Sequence, residues 1–344
     1  MLFSCQKSKP VVGFNADMRA IFLLSCLLAC PLASAAPADS AAALFGTPDQ
    51  KVARATAERV YNTWRQSMVR ADENAWRSST SRSRQMKVRN LIVSQKGDFP
   101  RDFFRNQPEP PSLLNFRYIG CLTGNNNRSL SVTYLGNVQL GNAGASETAF
   151  VLLFVYEDNK WKFDQSRMFN LSRLPEVKAR LLKGDISVLK EQDGFHPYQQ
   201  APEVPVACPR PQLIGKVFVD APGRCINMKI NGVSVHQFDD ERRADVISGG
   251  LRRGRNTISY TIATHKELEH PSMAIGLFVM PETPGNHPVC VFDHILDASD
   301  TARGGEFSFE IRNENIASMN PRFTGNPPQP FHAVPLKKKP AGAK

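Results

Sequence analysis

Between Ala53 and Ala71 the apolar residues Ala53, Ala57, Val60, Tyr61, Trp64, Met68 and Ala71 recur at steps of three and four. That spacing fills a sector of about 100° on a helical wheel, enough for one buried helix face. Lys51, Arg54, Arg59, Arg65 and Arg70 fall outside the sector. Thr47 is placed to cap this helix, with Pro48 at its first position. A second short helix opens at Asp72 or Asn74 and carries Trp76, and a third covers Arg84 to Val93. Beyond Gly97 the period changes from 3.6 to 2. Strands are predicted over Leu113–Thr123, Ser129–Gln139, Thr148–Glu157 and Trp161–Phe169, with turn chemistry at 125–127 and 157–161. A short helix, Pro175 to Lys183, leads out. The run AFVLLFVY (149–156) is apolar at every position, so both faces of its strand require cover.

Helices followed by a long antiparallel sheet ending in VYEDNKWKFDQ (155–165) resemble the NTF2-like superfamily over about residues 50–174. The resemblance implies an α+β cone, with helices on a curved antiparallel sheet around a pocket. It also implies a homodimer through that sheet, which would cover the outer face of 149–156; a second domain could cover it instead. Enzymes of that superfamily place an Asp, often with His or Tyr, in the cone. The first histidine beyond the N-terminal segment is His196, so Tyr61 with Asp164 or Asp102 is the pair left to test.

Proline-rich sequence from His196 to Gln212 breaks the chain. Strands are then predicted over Ile214–Asp220, Cys225–Ile230, Val233–Phe238, Asn256–Thr264, Met273–Met280, Val289–His294 and Glu306–Arg312. Asn231-Gly232 is a two-residue hairpin signal, because both positions of that turn favour positive φ. Many short strands argue for an all-β sandwich. INMKINGVSVH followed by ADVISGGLRRGRNTISYTI resembles the galactose-binding-like jelly rolls over about 214–313. On that resemblance Leu251, Gly254 and Asn256 form the device that starts a core strand. The expected domains are 47–195 and 213–320, joined by the linker 196–212 and followed by a disordered basic tail, 321–344.

Composition changes the picture in two places. Arg19, the apolar run Ala20–Leu28 and the small residues before Ala36 read as a signal peptide cut after Ala35, with 36–46 as a linker. The run is too short for a membrane span. Lipidation at Cys30 is the rival. The mature chain is then exported, periplasmic or secreted, with four cysteines: Cys121, Cys208, Cys225 and Cys290. Disulfides are expected, Cys225 pairing with Cys290 and Cys121 with Cys208 if both pairs close.

The formal net charge of +11 is the second. Residues 51–96 hold eleven basic and three acidic side chains, and the tail from Arg322 holds five basic ones and no acid. Arg77, Arg82, Arg84, Lys87 and Arg89 are dense enough to meet an anionic lipid or glycan surface. The arginines of GLRRGRNTISY (250–260) have Asp239, Asp240, Glu241 and Asp245 nearby, which excludes a nucleic-acid site there. His287, Cys290, Asp293 and His294, with His265 and His270 upstream, lack metal-site spacing. Trp64, Trp76 and Trp161 all precede the linker, which leaves Tyr260 and core-like phenylalanines beyond it. The sequence reading is an exported, non-catalytic binding protein of a bacterial-type envelope, its sandwich contacting a protein or glycan, without cofactor. An isomerase or dehydratase using the cone is the rival.

Overall fold

The computed structural model describes residues 50–105, 107–124, 127–140, 143–264, 272–297 and 303–333. The segment with Cys30 and Ala35, the cap at Thr47, His265, His270 and the lysine-rich tail beyond 333 lie outside the described residues.

Helices α1 (Gln50–Arg70), α2 (Glu73–Ser79), α3 (Arg82–Ser94) and α4 (Arg101–Arg105) come first. The Asp72 side chain caps α2 by accepting from the Ala75 N–H at 3.0 Å, and Ser81 caps α3 by accepting from Arg84 N–H at 3.0 Å. Strands β1 (Arg117–Thr123), β2 (Ser129–Leu140), β3 (Ala143–Glu157) and β4 (Lys160–Asn170) then form one antiparallel sheet in chain order. Helices α5 (Pro175–Leu182) and α6 (Val188–Glu191) follow.

Both faces of β3 are buried, as its sequence requires. Phe150, Leu152 and Phe154 pack with Ala53, Ala57 and Tyr61 of α1. Ala149, Val151 and Leu153 pack with Val177, Leu181, Val188, Leu189 and Phe195. The chain's own α5–α6 segment therefore covers this face of β3.

The next elements are β5 (Gly215–Asp220), β6 (Arg224–Ile230), β7 (Ser234–Asp239), β8 (Arg242–Val246), β9 (Gly254–Thr264), β10 (Met273–Val279), β11 (Val289–Leu296), β12 (Gly304–Ile311), α7 (Asn313–Ala317) and β13 (Phe331–His332). They make a five-stranded sheet, β13-β11-β10-β5-β8, and a four-stranded sheet, β12-β9-β6-β7. Both contribute to one core: Val217, Val219, Ile275 and Leu277 from the first, Ile226, Met228, Ile230 and Ile258 from the second.

The expected cone plus sandwich is overturned. The chain is mostly β, 40% strand against 27% helix, in three sheets with few and mostly short helices. Space that a cone would keep open is filled: Tyr61 stacks edge-on against Phe150 and Phe163, at ring separations of 6.0 and 5.6 Å.

The proline-rich segment is strapped along α3. Ser83 Oγ donates to the Glu203 carbonyl at 2.9 Å, and Asn90 Nδ2 to the Val206 carbonyl at 2.8 Å. Asn90 Oδ1 accepts from Cys208 N–H at 3.0 Å, and Arg89 donates to the Cys208 carbonyl at 3.0 Å. Ser94 Oγ accepts from Gly249 N–H at 2.8 Å, carrying the contact to the paired sheets. Prolines remove donors from an extended chain, and α3 side chains supply the missing partners. Asn90→Ala is expected to cost about 2 kcal/mol, since two strap backbone groups lose buried partners. Limited digestion with proteinase K should then cut within 203–212, where the wild type resists.

Candidate functional site

Alternation along β6, β7, β9 and β12 turns Asn227, Lys229, Val235, Ser259, Thr261 and Glu306 outward. The registers Lys229↔Val235, Lys229↔Ser259, Asn227↔Thr261 and Glu306↔Ser259 set them side by side. Asn227, Met228, Lys229, Val235, Ser259, Tyr260 and Thr261 line a shallow depression of about 230 Å³. Its rim donates and accepts hydrogen bonds. Among the described residues the Lys229 ammonium makes no ion pair.

The strand-start residues hold this face in place. Leu251 is fully buried and exchanges backbone hydrogen bonds with Leu213 at 2.9 and 3.1 Å. Gly254 has φ +80°, which favours glycine. Asn256 is buried, its Nδ2 donating to the carbonyls of Arg252 and Gly254 at 2.8 and 3.0 Å. β9 thus leaves a fixed turn.

The opposite outer face, on the five-stranded sheet, mixes apolar side chains with Lys216, Asp220, Arg242 and Asp293. Phe278 pairs with Lys216 and with Cys290, Gly276 with Phe218, and Ala274 with Ile295. A Cβ on Gly276 would lie 2.8 Å from Phe278 Cε2, so the Phe278 ring leans back over this glycine. Arg242 lies 5.4 Å above the Phe218 ring. Burial pushes the Lys216 ammonium down to about 8. Sequence reading took these phenylalanines for core; the alternation of inward Val217 and Val219 around Phe218 was the available signal.

A Ser–His–Asp series, which sequence reading missed, closes the seam between edge strands β7 and β8. Ser234 Oγ lies 2.6 Å from His236 Nε2, and His236 Nδ1 lies 3.4 Å from Asp245 Oδ2. Burial pushes the Asp245 carboxyl up, but the His236 hydrogen bond and the Arg243 charge together hold it below its usual range. Serine, base and orienting acid are in hydrolase order. Yet Ser234 is 1% exposed and its Oγ also accepts from Ser248 N–H at 2.8 Å. The hydroxyl is committed on both sides, and the trio joins the two sheets.

The remaining sequence candidates are placed as follows. Arg77 pairs with Glu73 at 2.7 Å, Arg82 with Asp158, and Arg89 with the strap. Arg84 lies near the Tyr198 hydroxyl, and Lys87 is exposed. Two of the five, Arg77 and Arg82, thus meet carboxylates of the chain itself.

The four cysteines among the described residues, Cys121, Cys208, Cys225 and Cys290, are free. Cys225 cannot reach Cys290, because they stand on the outer faces of opposite sheets, whose planes pack about 10 Å apart. Cys121 lies in β1, whereas Cys208 is bound in the strap beside Ser94 and Asn90.

Tyr61 donates to the Pro111 carbonyl at 2.8 Å and does not meet Asp164 or Asp102. Asp164 instead accepts from Ser81 and from Tyr198, the latter at 2.5 Å. Burial first, then the Asp164 charge, pushes the Tyr198 hydroxyl well up. Among the described residues, no group of His, Cys, Asp and Glu is arranged to hold a metal ion.

No family model, curated protein or solved structure matches this chain. Among the described residues no helix is long and apolar enough to cross a membrane.

Proposed function

We propose that this chain is an exported, non-catalytic binding protein that recognises an acidic glycan on the outer face of β7-β6-β9-β12. The depression around Asn227, Lys229, Ser259 and Thr261 carries the reading. Its polar groups stand on neighbouring strands about 5 Å apart, a rigid array of donors and acceptors suited to sugar hydroxyls. The Lys229 ammonium suits a uronate carboxylate or sulfate, and such a contact weakens as salt rises.

A glycan array probed with the whole mature chain tests this. Binding should concentrate on uronate-containing or sulfated oligosaccharides. The double variant Asn227→Ala/Lys229→Ala should weaken it at least about tenfold, the loss expected for one charge-assisted and one neutral hydrogen bond. Its melting temperature should stay within about 2 °C of wild type, since both side chains are exposed. Wild-type protein that binds no acidic glycan would contradict the reading.

A further inference from the structure

β6 opens with a charge in an apolar place. Alternation along the strand turns Arg224 inward with Ile226, Met228 and Ile230, and the residue is 3% exposed. Its Nη1 is buried and has no hydrogen-bond partner, and among the described residues the guanidinium makes no ion pair. The turn before it is tight, with Arg224 N–H donating to the Ala221 carbonyl at 3.2 Å. At the same end of the facing sheet the inward residues are Ala221, Met273 and Leu296, all apolar.

Acids in the adjoining turns and strand ends are already engaged. Asp240 accepts from Gly223 N–H at 2.7 Å, Asp220 pairs with Arg242 at 3.7 Å, and Glu241 pairs with Arg243 at 2.9 Å. A guanidinium keeps its proton in proteins and presents its donors in a fixed fork, so becoming neutral is no escape. Buried charges are tolerated when paired, and an orphaned donor carries the whole desolvation penalty of its group.

We infer that Arg224 anchors a binding site for a small oxyanion at this end of the paired sheets. A carboxylate or an inorganic oxyanion supplies the acceptor that the chain does not. Two oxygens of such a group match the guanidinium fork, and a charge-assisted pair in surroundings this dry is stronger than one at the surface. Arg224 faces inward from β6, whereas Asn227 and Lys229 face outward, so anion binding and glycan binding can each fail without the other.

Thermal melting of the whole mature chain in a zwitterionic buffer, titrated with sodium formate, acetate, phosphate, sulfate or chloride, tests this. Each series is repeated on Arg224→Met, so that general salt effects cancel. Relative to that variant, the wild type should gain about 3 °C for each tenfold rise in oxyanion concentration above the dissociation constant. Without added anion, Arg224→Met should melt at or above the wild type, because an apolar side chain replaces an unpaired buried charge. Titration calorimetry of formate and phosphate into the wild type keeps the test decisive if Arg224→Met fails to fold. A response to the carboxylates supports the site with an organic acid as its ligand; a response to phosphate or sulfate alone supports it with an inorganic one. A wild type that follows Arg224→Met in every salt, or that gives no heat with either anion, overturns the inference. An equal response to chloride overturns the assignment to an oxyanion. Arg224→Met melting well below the wild type in the anion-free buffer also overturns it, because the chain itself would then supply the partner.

Discussion

Asp164→Ala is expected to lower stability by about 3 kcal/mol, because two buried hydroxyls lose a charged acceptor. Asp164 is 2% exposed and accepts from both Ser81 and Tyr198. Its position comes from a β-bulge: Leu153 pairs with Gln165 and Phe154 with Phe163, leaving Asp164 as the extra residue of β4. The bulge aims the carboxylate at the start of α3 and at the first residues of the strap. Tyr198 is held there again by Ser129, whose hydroxyl donates to the Tyr198 carbonyl at 2.5 Å. Tyr198→Phe should cost less, about 2 kcal/mol, since one acceptor site is left unfilled while Ser81 remains. Urea unfolding midpoints measure both. A loss under about 1 kcal/mol for Asp164→Ala would show that the cluster is incidental.

The second large effect is expected at Asn256. Its Oδ1 accepts from Arg252 N–H and from Asn231 Nδ2, both at 2.9 Å, while Nδ2 donates to two carbonyls. Asn256→Ala removes a fully buried side chain that satisfies four polar groups of the turn, for a loss of about 3 kcal/mol. Gly254→Ala meets no atom within 4 Å and carries only the cost of φ +80°, about 1–2 kcal/mol. The order Asn256→Ala worse than Gly254→Ala is the discriminating outcome in thermal or chemical unfolding. The reverse order would place the strain of the turn, not its hydrogen bonds, in control.

Local pattern showed where strands lie, and long-range contact decided what they face. The alternation of residues 258, 260 and 262 and the Asn231-Gly232 turn were readable because each depends on neighbours in sequence; both turn residues have positive φ. β8 was not readable: its RRADV letters look solvated, yet Arg243 and Asp245 face inward and pair with each other at 3.0 Å. Phe218 and Phe278 were misplaced because strands apolar on both sides do not say which side meets the core. The cover over β3 was rightly demanded by AFVLLFVY, but its source, α5 and α6, comes later in the chain and lies across the sheet. Charge counting found Arg77, Arg82 and Arg89 and could not see Glu73, Asp158 or the strap carbonyl that engage them. Asp164 was offered as a partner for Tyr61, and the bulge in β4 turns it instead to Ser81 and Tyr198. Outward Asn227 and Thr261 were visible as polar positions, but their adjacency is a matter of register between β6 and β9.

The binding claim is tested most directly by hydrogen–deuterium exchange of the whole chain with and without the strongest acidic oligosaccharide from the array. Protection confined to 227–237 and 257–261, lost in Asn227→Ala/Lys229→Ala, is the predicted result. Protection centred instead on α3 or on the β10–β5 face, or no protection at saturating ligand, would contradict the account.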